Sequence, residues 1–154
     1  MKMSTSVEAN TTDWTPTVGA LMRGIVEWVQ ECMYEALLDA GYSDLTRAQM
    51  KVFRFPSPDG LRPSELANNL LITKQAVNDL LGYLEDVGYL VREIDPLDRR
   101  ARIIRLTPSG RQVLYTVRDA AKAAEEQIAK HLGSRRFASM QASLVIAREF
   151  VREL

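Results

Sequence analysis

Apolar residues recur at alternating steps of four and three along the first third of the chain: Val18, Met22, Ile25, Val29, Cys32 and Ala36. That spacing draws one seam along a helix. Leu21, Trp28, Met33 and Leu37 widen the seam, so the helix needs a partner beyond its own small domain. Thr15-Pro16 predicts its start, a capping hydroxyl followed by proline where the missing N–H costs nothing, and Gly41 ends it. A second helical pattern covers Leu45–Phe55, with Thr46 as its cap and Met50, Val52 and Phe53 on its apolar side. Pro56-Ser57-Pro58-Asp59-Gly60 stops it. Thr107-Pro108 repeats the start signal, and Val113, Leu114, Val117, Ala120, Ala121, Ala124 and Ile128 follow at helical spacing. Alanines in that run admit a close helix neighbour. Gly133-Ser134 breaks the pattern, and a last helix carries Phe137, Met140, Leu144, Ala147 and Val151.

The centre, residues 61–110, is patterned differently. Two short helices come first, Ser64 capping one (Leu66, Ala67, Leu70) and Thr73 the other. Only two or three residues separate them, the length of a helix-turn-helix connection. The second helix buries Val77, Leu80, Leu81, Leu84 and Val87, presents Lys74, Gln75, Asn78 and Gly82 on the opposite face, and stops at Gly88 in a left-handed conformation. Then come two strands, Tyr89–Ile94 and Arg102–Leu106, rich in β-branched and aromatic residues. Asp95-Pro96-Leu97-Asp98-Arg99-Arg100-Ala101 turns between them. Gln75 and Asn78 each offer the donor and acceptor that match adenine in a major groove, and Lys74 suits a phosphate or a guanine edge. Arg99 and Arg100 put planar, always-charged groups at the ribbon tip, suited to phosphates and narrow minor grooves.

At 154 residues the chain can bury one sizeable core. It has no apolar run of spanning length, and its first residues lack the apolar centre of a secretory signal, so a cytoplasmic location is expected. One cysteine and one histidine, Cys32 and His131, exclude an internal disulfide and a zinc site within one chain. There is no phosphate-binding glycine loop, nucleophile elbow or metalloprotease motif, so neither enzymatic activity nor a cofactor is expected. The formal net charge is +0. Its distribution matters more. Residues 95–111 hold five arginines against two aspartates, a net +3, which leaves −3 for the rest. The recognition segment 73–87 opposes Lys74 with Asp79, Glu85 and Asp86, a net −2.

The segment Asp98-Arg99-Arg100-Ala101-Arg102-Ile103-Ile104-Arg105-Leu106-Thr107-Pro108-Ser109-Gly110, together with Leu84-Glu85-Asp86-Val87-Gly88-Tyr89-Leu90, resembles the MarR family of winged-helix transcription regulators. The first follows the family's wing pattern, D-x-R, a strand, then L-T-x-x-G. The second follows its leucine, short polar spacer, glycine and apolar pair. Asp79, Gly82 and Tyr83 depart from the basic or charge-paired side that family members commonly present there.

The resemblance implies a mainly α fold (α+β winged helix), with a winged helix-turn-helix over 45–107. Helices from both chain ends, 15–40 and 108–154, form a dimerisation region. One domain is expected over 14–154, and the polar, turn-rich composition of residues 1–13 predicts a flexible arm. The expected partners are double-stranded DNA, a second copy of the chain and a small aromatic or anionic effector. No membrane, metal or cofactor is expected. The expected DNA contacts are Ser64, Thr73, Lys74, Gln75, Asn78, Arg99, Arg100 and Arg102, with Asp98 tethering the minor-groove arginine, Arg100. Trp28, Tyr34 and Tyr42 are candidates for an effector pocket. The implied function is a ligand-responsive repressor that binds a palindromic operator as a homodimer. Two alternatives stand beside it. One is a winged-helix module that binds protein and not DNA, favoured by the acidic recognition segment. The other is a redox switch through Cys32, which lies further into the first helix than the reactive cysteine of the family's peroxide sensors.

Overall fold

The first helix, α1 (Val18–Asp39), begins later than its proline signal. Thr17 is the cap, its hydroxyl accepting from the Ala20 N–H at 3.3 Å. Thr15 stands two residues too early to reach an unpaired N–H of that turn. The computed structural model of the chain describes residues 15–54 and 56–153. The arm expected over residues 1–13 lies outside them, as does Phe55, the expected end of the second helix. That second segment is a short helix, α2 (Arg47–Met50), tightening into a 3-10 turn at Lys51–Phe53. Thr46 caps it as expected, in a reciprocal box with Gln49.

Helix α3 (Pro63–Leu70) and helix α4 (Lys74–Asp86) form the helix-turn-helix. Ser64 is not the cap of α3. Proline occupies the first helical position at Pro63, so the cap falls on Arg62, whose own N–H is held by Glu65 at 2.7 Å. Thr73 does cap α4, accepting from Ala76 at 3.1 Å. Val77, Leu81 and Leu84 of α4 are fully buried, while Val87 is 39% exposed because it is the residue after the helix and has left the stripe. Gly88 follows at φ 81.

Strand β1 (Leu90–Asp95) pairs antiparallel with strand β2 (Asp98–Leu106). The turn is only Pro96-Leu97, so β2 starts four residues earlier than the sequence pattern suggests. Pairing of Ile94 with Arg102 and of Asp95 with Asp98 leaves residues 99–101 opposite nothing: a bulge that carries both tip arginines. A rudimentary third strand joins β2, since the Gly60 N–H donates to Ile104 O at 2.7 Å and the Ile104 N–H to Leu61 O at 2.9 Å. Helix α5 (Pro108–Leu132) is capped by Thr107. It packs along α1, and Val113 and Val117 join Leu37, Phe53 and Leu90 in one core. Helix α6 (Ser134–Arg152) buries none of its residues.

Between α3 and α4 the chain turns through Leu71, the only non-glycine with positive φ (54°) among the described residues, and 91% exposed. A left-handed leucine costs roughly 1 kcal/mol, which glycine avoids. Leu71→Gly is therefore expected to stabilise the fold by about 0.5–1 kcal/mol, read as a raised urea midpoint with unchanged slope. A lowered midpoint would mean that the side chain contributes packing the exposed position does not show.

Candidate nucleic-acid interface

The N-terminal ends of α3 and α4 and the ribbon just below its tip border a cleft of about 320 Å³, lined by Arg62, Pro63, Ser64, Lys74, Asn78, Ala101 and Arg102. Four of the eight expected contact residues thus meet in one place: Ser64, Lys74, Asn78 and Arg102. Lys74 and Asn78 are one turn apart on α4, so both project from the same side. Gln75 and Thr73 are exposed beside them, and the Thr73 hydroxyl already serves as the helix cap. Arg99 and Arg100 are exposed in the bulge at the ribbon tip, outside the cleft.

Not all the arginines are available to an outside anion. Arg105 pairs with Glu93 at 3.5 Å, and Arg111 donates to the Leu106 carbonyl at 2.9 Å. Among the described residues Arg99, Arg100 and Arg102 make no ion pair. The acidic count of α4 softens in the same way. Glu85 accepts from the Arg92 N–H at 3.0 Å and from its guanidinium at 2.6 and 2.9 Å. That guanidinium holds the Glu85 carboxyl below its ordinary pKa. Asp79 stays exposed, with no ion pair among the described residues. Tyr83 turns to the body, where its hydroxyl donates to the Asp44 carbonyl at 2.6 Å. A Cβ at Gly82 would meet nothing within 4 Å, so no close approach within the chain requires that glycine.

Asp98 does not tether the Arg100 side chain. Its carboxylate accepts from the Arg100 backbone N–H at 3.1 Å and lies 3.8 Å from the Arg62 guanidinium. Arg62, which the sequence reading passed over, braces the whole tip. It donates to Asp95 through Nε at 2.8 Å and Nη2 at 2.6 Å. Asp95 is only 6% exposed and also accepts from the Leu97 N–H at 2.8 Å. The signal available in sequence was the pair of carboxylates at one turn, Asp95 and Asp98, which together call for a cation from elsewhere.

The Leu97 N–H and then the Arg62 guanidinium hold the Asp95 carboxyl below its ordinary 3.8. A carboxyl with a depressed folded pKa contributes stability that is complete above its unfolded pKa and is lost as pH falls through the folded one. The melting temperature should therefore drop below about pH 4. The drop should be shallower in Arg62→Gln, measured by thermal melts between about pH 3 and about pH 6. Parallel acid limbs for the two proteins would show that the pair contributes nothing to acid sensitivity.

The aromatic residues expected around an effector are not gathered in one pocket. Tyr34 lies beneath the Arg47 guanidinium, 4.1 Å from ring to cation. Tyr42 packs edge-on against Tyr89 at 6.1 Å, and Trp28 is half-exposed on α1. A cleft of about 610 Å³ opens instead between α1, α6 and the turn after α3, and its walls include Val29, Met33, Leu70, Phe137 and Met140. Arg54 reaches its edge. The Arg54 Nε is buried and has no hydrogen-bond partner among the described residues, and burial pushes the guanidinium pKa down. Cys32 is a half-buried free thiol on α1. No helix among the described residues is long and apolar enough to cross a membrane.

Comparison with known proteins agrees with this geometry. Residues 43–101 match the family model described as MarR family. Among curated relatives, the transcriptional regulator HosA of Escherichia coli O111:H- is 33% identical over 72 residues, covering 46% of this chain and 53% of HosA. The chain spans about half or less of the length of the curated relatives it matches. Among solved structures, transcriptional regulator Tm0710 from Thermotoga maritima is similar, with 29% identity and a TM-score of 0.58, over 86% of this chain and 92% of Tm0710. The repressor CouR bound to a 23-mer DNA duplex shares the fold at 23% identity and a TM-score of 0.64, over 86% of this chain and 92% of CouR.

Proposed function

We propose that this chain, which belongs to the MarR family of winged-helix transcriptional regulators, binds double-stranded DNA as a homodimer and represses transcription from an inverted-repeat operator. The observation that carries the proposal is the convergence of Lys74, Asn78, Ser64 and Arg102 on one cleft. Arg99 and Arg100, which make no ion pair among the described residues, stand beside it on a braced ribbon. Helix α4 enters the major groove with Gln75 and Asn78 toward base edges. Lys74, Ser64, Thr73 and Arg102 meet phosphates, and Arg99 and Arg100 reach the adjoining minor groove. The DNA-bound structure of CouR supports this use of the fold.

Dimerisation rests on uncovered apolar surface. Val18, Leu21 and Val26 of α1 and Ile146, Phe150 and Val151 of α6 are each at least half exposed, and uncovered apolar side chains on two terminal helices are of the kind that marks an association site. Two copies place two α4 helices about one turn of B-DNA apart, roughly 34 Å, which matches an inverted repeat.

Response to a small anionic ligand has its own observation. The 610 Å³ cleft is mainly apolar, and the cation Arg54 is among the residues that line it. An apolar acid would fill the cleft and set its carboxylate against that guanidinium. CouR from Rhodococcus jostii RHA1 has been solved with p-coumaroyl-CoA, a ligand with both an apolar and an anionic part.

Selection of bound sequences from a random duplex pool, followed by a salt series on the winner, tests the proposal. An inverted repeat whose affinity falls steeply with salt is expected. Absence of binding to any duplex at low salt would instead favour a protein-binding module.

A further inference from the structure

Leu97 sits at the extreme end of the ribbon, 93% exposed, the most exposed large apolar side chain among the described residues. That exposure leaves it almost no packing against the described residues, so folding does not account for it. Yet its backbone is firmly held. The Leu97 N–H donates to the buried Asp95 carboxylate, and Arg62 clamps Asp95 from the start of α3. On the far side of the two-residue turn, Asp98 fixes the Arg100 N–H. The tip therefore presents an apolar knob on a rigid mount, and within three residues of it stand two guanidinium groups, Arg99 and Arg100, that make no ion pair among the described residues.

An occupant that suits this arrangement has anionic rails and an apolar interior between them. The minor groove of DNA has that chemistry: phosphates at its lips, and deoxyribose C–H surface and base edges within. We infer that Leu97 enters the minor groove beside Arg99 and Arg100 and supplies an apolar contact with the sugar walls, adding affinity that owes nothing to counterion release. This inference rests on the DNA-binding reading above. The polar major-groove face of α4, within the same unit, favours DNA over a lipid surface.

The test uses the full chain and a fluorescein-labelled duplex recovered by selection, with binding followed by anisotropy across a salt series. Leu97→Ala is expected to bind about tenfold more weakly, the loss of a buried leucine contact. Its salt slope and melting temperature should match the unsubstituted chain. Leu97→Met, which keeps the apolar volume, should bind within about twofold of it. Unchanged affinity in Leu97→Ala would overturn the inference while leaving DNA binding intact, and so would a loss accompanied by a reduced salt slope. Failure of the unsubstituted chain to bind any duplex would remove both readings. Capture by phosphatidylserine vesicles that Leu97→Ala abolishes, with duplex affinity unchanged, would assign the knob to a membrane surface and overturn the inference.

Discussion

Gly110→Ala is expected to destabilise the chain by about 3 kcal/mol, a fall of roughly 10 °C in melting temperature. The cause is steric. A Cβ at Gly110 would lie 1.8 Å from the Tyr89 carbonyl oxygen and 2.9 Å from its carbon, both backbone atoms that no rotamer can move. The contact is tight because the first turn of α5 is clipped to the start of the ribbon. The Thr107 N–H donates to Tyr89 O at 3.1 Å, and the Thr107 hydroxyl to Gly88 O at 2.7 Å. Gly82→Ala is the matched control. It lies in the interior of α4 with open space around it, so it should gain up to about 1 kcal/mol in stability. One chemical change with opposite signs at two positions separates close approach from helix propensity. If Gly110→Ala melts with the unsubstituted chain, the ribbon can slide away from α5 and the clip is not rigid.

Arg100→Ala should have the largest effect on DNA. Loss of tenfold or more in affinity is expected, with the salt slope reduced by about 1. Arg100 is exposed in the bulge and unpaired among the described residues, so its full charge is available to phosphate or minor groove. Arg105→Ala serves as a comparison on the same strand. Its guanidinium already faces Glu93, so its removal should change affinity and slope less. Asn78→Ala should act differently again, flattening the preference at one base position by about 1–3 kcal/mol. An Arg100→Ala protein that keeps its operator affinity would remove the ribbon from the interface.

The parts of this fold that were legible in sequence were local ones. Thr46, Thr73 and Thr107 announce their helices because a capping hydroxyl reaches only three residues. The buried stripe Val77, Leu81 and Leu84 announces its own period. The parts that were missed depend on distant partners. Arg62 meets Asp95 across 33 residues, and no pattern near either residue says so. The early start of β2 follows from a bulge that Asp98 and Arg62 stabilise together. The aromatic residues proposed for a ligand were already engaged, Tyr34 by Arg47 and Tyr42 by Tyr89. The 610 Å³ cleft is lined mostly by apolar residues of α1 and α6, such as Val29, Met33, Phe137 and Met140, which read in sequence as ordinary core. Ser64 was expected as a cap two residues too late because Pro63 moves the helix start upstream, yet it still lines the cleft.

Arg62 joins two jobs that a hinge would have kept apart: it opens α3 and it holds the ribbon tip. Gly60 and Leu61 stitch the approach to α3 onto the middle of β2 as well. Among the described residues, ribbon and α3 are thus tied as one casting. If the proposed switching holds, a signal that reaches this lobe would tilt it as a whole. In a paired molecule, switching would then appear as a changed distance between spin labels on the two heads, while labels placed within one head keep their separation.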